Sequence, residues 1–185
     1  MNMVGRGEKI TGEELLERYA AGERNFPFIY LKDGKLDGVN LSGINLMAAN
    51  LRNIGGLNSI NLSKACLVGA VLPPNMGGAN LSSADLTGAM LQGVWFEGAD
   101  LTCCIFDRAI LCDAIFKNAI LHHTSWEYAN LIDADFTGSI GFPFVYPATA
   151  AECWSNGSGF GKTIFWDTTL PDGSIISEPF LSHEE

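Results

Sequence analysis

Large apolar residues recur every five positions from Met76 to Phe136, as Met76, Leu81, Leu86, Leu91, Phe96, Leu101, Phe106, Leu111, Phe116, Leu121, Trp126, Leu131 and Phe136. Two residues before them the side chain is small, most often Ala: Ala79, Ala84, Ala89, Ala99, Ala109, Ala114, Ala119, Ala129 and Ala134. A strict period of five matches neither the α-helix nor the flat strand. It predicts a short extended side followed by a corner, with the large and the small residue inward and the other three outward or in the corner. Gly recurs two residues after the large position, at Gly38, Gly43, Gly69, Gly78, Gly88, Gly93, Gly98 and Gly138. That fixed phase predicts a corner of positive φ, as in a type II turn. Such units cannot bury a core singly, so coils must stack.

The pattern extends backwards with two slips. Leu31, Leu36, Leu41, Leu46 and Leu51 keep one frame; a one-residue insertion near Gly55-Gly56 moves it to Leu57, Leu62, Leu67 and Leu72. A one-residue deletion at Pro73-Pro74 restores it at Met76. Small positions here include Ile29, Val39, Ile44 and Ile60, which predicts wider or distorted coils. Upstream, Thr11 to Gly22 reads as a helix, with Thr11 and Glu14 as a capping box and Gly22 as its stop. Leu15, Leu16, Tyr19 and Ala20 form its apolar face. A solenoid end exposes apolar core and unpaired strand edges, and the helix is assigned to cover it.

The repeat A-[DN]-L-x-x, seen in A-N-L-S-S, A-D-L-T-G and A-D-F-T-G, resembles that of the pentapeptide-repeat family over roughly two thirds of the chain. The strings L-L-E-R-Y-A-A-G-E-R-N-F and T-I-F-W-D-T-T-L-P-D-G-S-I look like the lead-in and ending of cyanobacterial members. The resemblance implies an all-β solenoid, a right-handed quadrilateral β-helix with four repeats per coil, here with an N-terminal α-helical cap. Positions 20 apart then stack: Phe96, Phe116 and Phe136 in one column, Phe106 and Trp126 in the opposite one, Leu in the other two. The expected divisions are a capping region at 1–25, the β-helix at 26–141, a loop-out with a short helix at 142–157, a partial closing coil at 158–176 on Phe160, Phe165 and Leu170, and a loose tail at 177–185. Pro171-Asp172-Gly173 reads as a turn.

The 185 residues suffice for one domain with a continuous core, and the formal charge of −10 argues against direct nucleic-acid binding through a basic surface. Met1 to Lys9 contains no apolar signal core, and no apolar run approaches the length of a membrane span. Five Cys without a paired spacing (Cys66, Cys103, Cys104, Cys112, Cys153) suggest a reduced, cytoplasmic chain.

Candidate chemistry is sparse. Gly157 to Thr163 lacks the first Gly of a phosphate loop, because position 156 is Asn. Cys103 and His123 are 20 apart, with Cys112, Asp113 and His122 near in sequence, but zinc needs three or four converging ligands. Cys104 occupies a small inward position and reads as a substitute for Ala. Asp107 and Glu127 share a column on a convex solid that offers no pocket. No enzyme, metal site or cofactor is expected.

The leading expectation is a non-catalytic scaffold or regulatory protein acting through protein–protein contact; some cyanobacterial members of the family are linked to control of heterocyst differentiation. The alternative is a DNA-mimicking modulator of a type II topoisomerase such as gyrase, and a hydrolase or metal-dependent enzyme comes third. For contact, the position just before each large residue matters. It is polar at Asn75, Asn80 and Asp85 and again at Ser125, Asn130 and Asp135. Between them it is apolar at Met90, Trp95, Ile105, Ile110, Ile115 and Ile120, with Asp100 the exception. β-Branched residues suit any strand surface, but a contiguous outward belt more often marks an interface, and these six are the candidate interaction residues, self-association included.

Overall fold

The computed structural model describes residues 7–141, 164–165, 168–170, 172, 174–176 and 180–181. A short strand β1 (Lys9–Ile10) leads into helix α1 (Gly12–Ala20), then β2 (Tyr30–Leu31), which pairs in parallel with β1. From there the chain forms a ladder of parallel single-residue bridges. Asn75 bridges Trp95, Asn80 bridges Asp100, Asp85 bridges Ile105 and Met90 bridges Ile110, each to the residue 20 further on. Bridges every five residues with partners 20 away define a four-sided coil. At each rung the amide of the large residue donates upward, as Leu86 N–H does to the Ile105 carbonyl (2.8 Å). The amide before it donates downward, as Ile105 N–H does to Ala84 (3.1 Å).

Every large position from Met76 to Phe136 is buried, and so is every small position from Ala79 to Ala134. The corner is closed by a three-residue hydrogen bond, such as Ala84 N–H to Leu81 C=O at 2.8 Å. The residue two after each large position from Met76 to Phe136 has positive φ, 62–72° at glycine and 55–61° where another residue stands. A single positive φ at the third turn residue is the type II pattern.

Both slips are visible in the register. Asn40, Asn45 and Asn50 bridge residues 21 ahead (Asn61, Cys66, Val71). Asn61, Cys66 and Val71 then bridge residues 19 ahead (Asn80, Asp85, Met90). Ile29, Ile44 and Ile60 are buried at their small positions. The Leu-rich lower core encloses an apolar void of about 10 Å³ among Leu15, Leu36, Leu41, Leu46, Leu51, Leu57, Ile60 and Leu62. That is at the threshold for one water, and nothing polar lines it to hold one.

The aromatic columns stack as their spacing predicts. Phe96 lies on Phe116 with centroids 5.2 Å apart, Phe116 on Phe136 at 4.7 Å, and Phe106 on Trp126 at 4.4 Å. The two columns meet edge to face, with Phe106 and Phe116 at 6.1 Å and 86°.

Helix α1 closes the lower end. Thr11 accepts the Glu14 amide at 3.1 Å, and Gly22 (φ 99°) ends the helix as its amide and that of Glu23 return to the carbonyls of Tyr19 and Arg18. This pair of bonds satisfies carbonyls the last turn leaves open. Leu15 is fully buried, Leu16 and Tyr19 pack partly on the core, and the Tyr19 hydroxyl donates to Ser42 C=O at 2.8 Å. Ala20, expected on the apolar face, is exposed; the helix touches the coil over a stripe too narrow to include it. Gly12 meets Gly34 so closely that a Cβ on Gly12 would stand 2.8 Å from the Gly34 Cα.

At the upper end, β3 (Ile164–Phe165) and β4 (Thr168–Thr169) pair antiparallel with β6 (Phe180–Leu181) and β5 (Ile175–Ile176) respectively. Thr169 also bridges Asn130, which places Leu170 in the Leu131 register, and the Leu170 amide donates to Ser174 C=O across the turn at Asp172. Phe180–Leu181 lie in the stretch read as a loose tail but form a paired strand. The expected loop-out at 142–157, the segment 158–163 and the Gly157–Thr163 stretch lie outside the described residues. Among the described residues no helix is long and apolar enough to cross a membrane.

Candidate interaction surface

The outward position before each large residue is shaped by a local hydrogen bond. At Asn or Asp apart from Asn75, the side-chain oxygen accepts the amide two residues on: Asn80 from Ser82 (3.0 Å), Asp85 from Thr87 (3.0 Å), Asp100 from Thr102 (3.0 Å), Asn130 from Ile132 (3.2 Å) and Asp135 from Thr137 (2.9 Å). These Asx turns hold the corner. The Asp135 carboxyl lies below the usual carboxylate range: burial alone would raise it, but the Thr137 hydroxyl and amide and the Lys117 ammonium outweigh that.

Met90, Trp95, Ile105, Ile110, Ile115 and Ile120 offer no such acceptor. Each forgoes a bond contributing about 0.5–1.5 kcal/mol, and apolar pairs between neighbouring rungs return about 0.2–1 kcal/mol each. Stability therefore gives little reason to concentrate apolar residues in the middle coils. Trp95 is 53% exposed, Met90 46%, Ile110 44% and Ile105 38%, while Ile115 and Ile120 are partly covered.

The register distributes the six over all four sides. Trp95 and Ile115 are bridge partners on one side, between Asn75 and Asp135. Met90 and Ile110 are partners on the preceding side, with Val71 below them. Ile105 stands alone between Asp85 and Ser125, and Ile120 lies beside Ile140 on the remaining side. The belt is therefore not one contiguous surface: a four-sided coil turns each successive repeat onto a new side. Two adjacent sides carry the bridged pairs Met90–Ile110 and Trp95–Ile115, a third carries Ile120 with Ile140, and the fourth carries Ile105 alone. Val71 and Ile140 belong to these rows and were hidden in the sequence. Val71 sits before Leu72 in the shifted frame, and Ile140 precedes Gly141, where the large residue is missing.

The other candidate residues are structural or scattered. Cys104 is buried, its thiol donates to Leu81 C=O at 2.9 Å, and burial pushes that thiol up, out of the nucleophilic range. Asp107 accepts the Glu127 amide (3.0 Å) and the Ser125 hydroxyl (2.6 Å), so it tethers the coil above. Cys103 and His123 occupy equivalent corners of successive coils, both with φ 59°. Among the described residues no group of three His, Cys, Asp or Glu converges as metal ligands do.

The family profile described as "Pentapeptide repeats (8 copies)" matches residues 74–102. Among solved structures, HetL, a pentapeptide-repeat protein involved in heterocyst differentiation regulation from the cyanobacterium Nostoc sp. strain PCC 7120, is 22% identical. The match covers 90% of this chain and 100% of HetL, with a TM-score of 0.30. The Nostoc pentapeptide-repeat protein alr5209 is 27% identical over 75% of this chain and 92% of its own, with a TM-score of 0.33. QnrB1, a plasmid-mediated fluoroquinolone resistance protein, is 16% identical over 71% and 86%, with a TM-score of 0.26. Comparison with curated proteins gives no match. These TM-scores lie below 0.5, so the assignment stands on the repeat itself. With the period of five, the 20-residue four-sided coil and the profile match in agreement, residues 74–102 carry the repeat of the pentapeptide-repeat proteins.

Proposed function

We propose that the protein is a non-catalytic, cytoplasmic scaffold or regulator that works by protein–protein contact through the two adjacent apolar sides, those of Met90 and Ile110 and of Trp95 and Ile115. The observation that carries this reading is the concentration of apolar residues in the middle coils, where the repeat elsewhere uses corner-holding Asn and Asp, with Trp95, Met90 and Ile110 the most exposed of them. A handedness like that of the family, right-handed, belongs to the same reading. The partner is a protein; no cofactor, nucleic acid or membrane is required by it.

The test is the double change Trp95→Asn with Ile115→Asn, read by pull-down from the native host and by thermal melting. Asn is the residue the repeat itself uses there and restores an Asx turn, so the melting temperature should barely move. Partner capture should fall to background. Capture that survives the double change, in a folded protein, overturns the reading.

A DNA-mimicking role is the second reading, favoured by the formal charge of −10. It calls for dense negative charge along the column, and much of the excess lies at the ends of the chain.

A further inference from the structure

The side that carries Trp95 and Ile115 is built to match a copy of itself, and the geometry points to a second copy of this chain as its occupant, seated with the two solenoid axes antiparallel. This rests on the reading that the apolar sides are contact surfaces, and goes beyond it by naming what sits there.

Up the coils, the outward row on this side runs Asn75, Trp95, Ile115, Asp135. The corner beside it runs Glu97, then Lys117 one coil higher, held in step by the Gly98 amide donating to the Lys117 carbonyl at 2.9 Å. A closed dimer uses the same patch twice, related by a two-fold axis. For two flat sides face to face, that axis lies in the plane between them. If it runs along the strands, midway between the Trp95 and Ile115 rungs, it exchanges those rungs. Trp95 then meets Ile115 of the other copy, and Asn75 meets Asp135, amide donor to carboxylate. Glu97 meets Lys117, twice by symmetry. Glu97 is exposed and the Lys117 side chain is 45% exposed, with its ammonium 3.1 Å from Asp135, so it can reach both carboxylates.

The other closed arrangement, with the axis parallel to the solenoid, fits worse. It sets each rung against itself, so Asp135 faces Asp135, and like charges directly opposite are destabilising. Nor does it bring Glu97 to Lys117. The polarity of the row, polar–apolar–apolar–polar, matches in either arrangement, so the charges of Asp135, Glu97 and Lys117 select the antiparallel one.

The contact is small. Four rungs at about 4.8 Å span about 19 Å of a narrow side, well under the roughly 800 Å² per partner of a standard interface. The dimer is therefore weak and concentration-dependent, with the two ion pairs selecting its orientation.

The test is sedimentation of the purified full chain over a wide concentration range. The wild-type mass should move from monomer towards dimer as concentration rises. Glu97→Lys or Lys117→Glu alone should weaken the dimer by about tenfold or more, since each sets like charges together twice. Mixing those two variants should restore association as a heterodimer, because each then supplies the charge the other lacks; circular dichroism confirms that each is folded. A wild type that stays monomeric up to its solubility limit overturns the second-copy inference, as does a mixture no tighter than its components. Neither outcome touches the contact-surface reading, which is decided by partner capture with the Trp95→Asn, Ile115→Asn protein.

Discussion

Among the described residues Thr124 is the one polar side chain that is buried, and it stands two positions before Trp126 in the aromatic core. Its hydroxyl accepts the Trp126 indole N–H at 2.7 Å and donates to Leu121 C=O at 2.9 Å. Thr124→Val keeps the shape and removes the acceptor that the indole N–H uses, at a cost of about 1–3 kcal/mol. Thr124→Ser keeps both bonds and loses one methyl, about 0.8 kcal/mol. Urea unfolding midpoints should rank wild type, Ser, Val in falling order; equal midpoints for Ser and Val would show the bond contributes nothing. The inward residues were legible because a period of five leaves them no alternative side. The Thr–Trp pair was written in the same spacing, but its meaning depends on where the indole points. Less legible were the corners at Arg108, His123 and Tyr128, which adopt φ of 59–61°. A left-handed residue costs about 1–2 kcal/mol when it is not Gly, so composition argues against what the closed coil imposes.

At the scale of the element, Arg18 adds a charged tie to the packing of Leu15 and the Tyr19–Ser42 bond that hold the capping helix. Arg18 donates from Nε and Nη2 to both oxygens of Glu23 (2.9 and 2.8 Å), from Nη1 to Glu8 (2.9 Å), and lies over the Phe26 ring at 5.1 Å. It ties the helix to the residues on either side of it and to the first large position of the coil. The hydrogen bond from Arg18 holds the Glu23 carboxyl below its ordinary value despite some burial. A depressed carboxylate stabilises the fold fully above its unfolded pKa of about 4.3 and loses that contribution as pH falls through the lower, folded value. Glu23→Gln should therefore melt earlier than wild type at neutral pH, and the gap should close as the pH is taken from about 6 to about 3. Melting curves across that range check it; a gap that persists at the acid end assigns the loss to something other than charge. The helix itself was legible from Thr11, Leu15 and Gly22. Ile10 was not: with one neighbour in β1, it has too little sequence around it to reveal that the first rung starts before the helix.

For the whole molecule, charge density decides between modes of action. Residues 26–141 hold ten acids and six bases, a net −4, on a column about 26 Å long. Duplex DNA carries one charge per about 1.7 Å, roughly 15 over that length. Asp37, Asp85, Asp100, Asp107 and Asp135 moreover accept backbone amides, which screens half of those acids. Purified protein at micromolar concentration is therefore expected to leave gyrase supercoiling unchanged. Salt-sensitive inhibition would reverse that expectation, since an electrostatic contact weakens as ions screen it. The candidate surface was half legible: the six apolar positions came from the pattern, but their division among four sides depends on how many repeats close a coil, and a period cannot count them.

The register changes from 21 to 19 to 20 residues carry a consequence for how the coil accommodates an added or missing residue. The chain gains a residue near Gly55-Gly56 and gives one back at Pro73-Pro74, yet bridges continue on both sides of the exchange. The family profile picks up the chain at residue 74, where the frame has been restored. A single insertion and a compensating loss are thus absorbed between the rungs while the rungs stay paired. Trp95, Ile115, Met90 and Ile110 lie above both slips, where the period is unbroken.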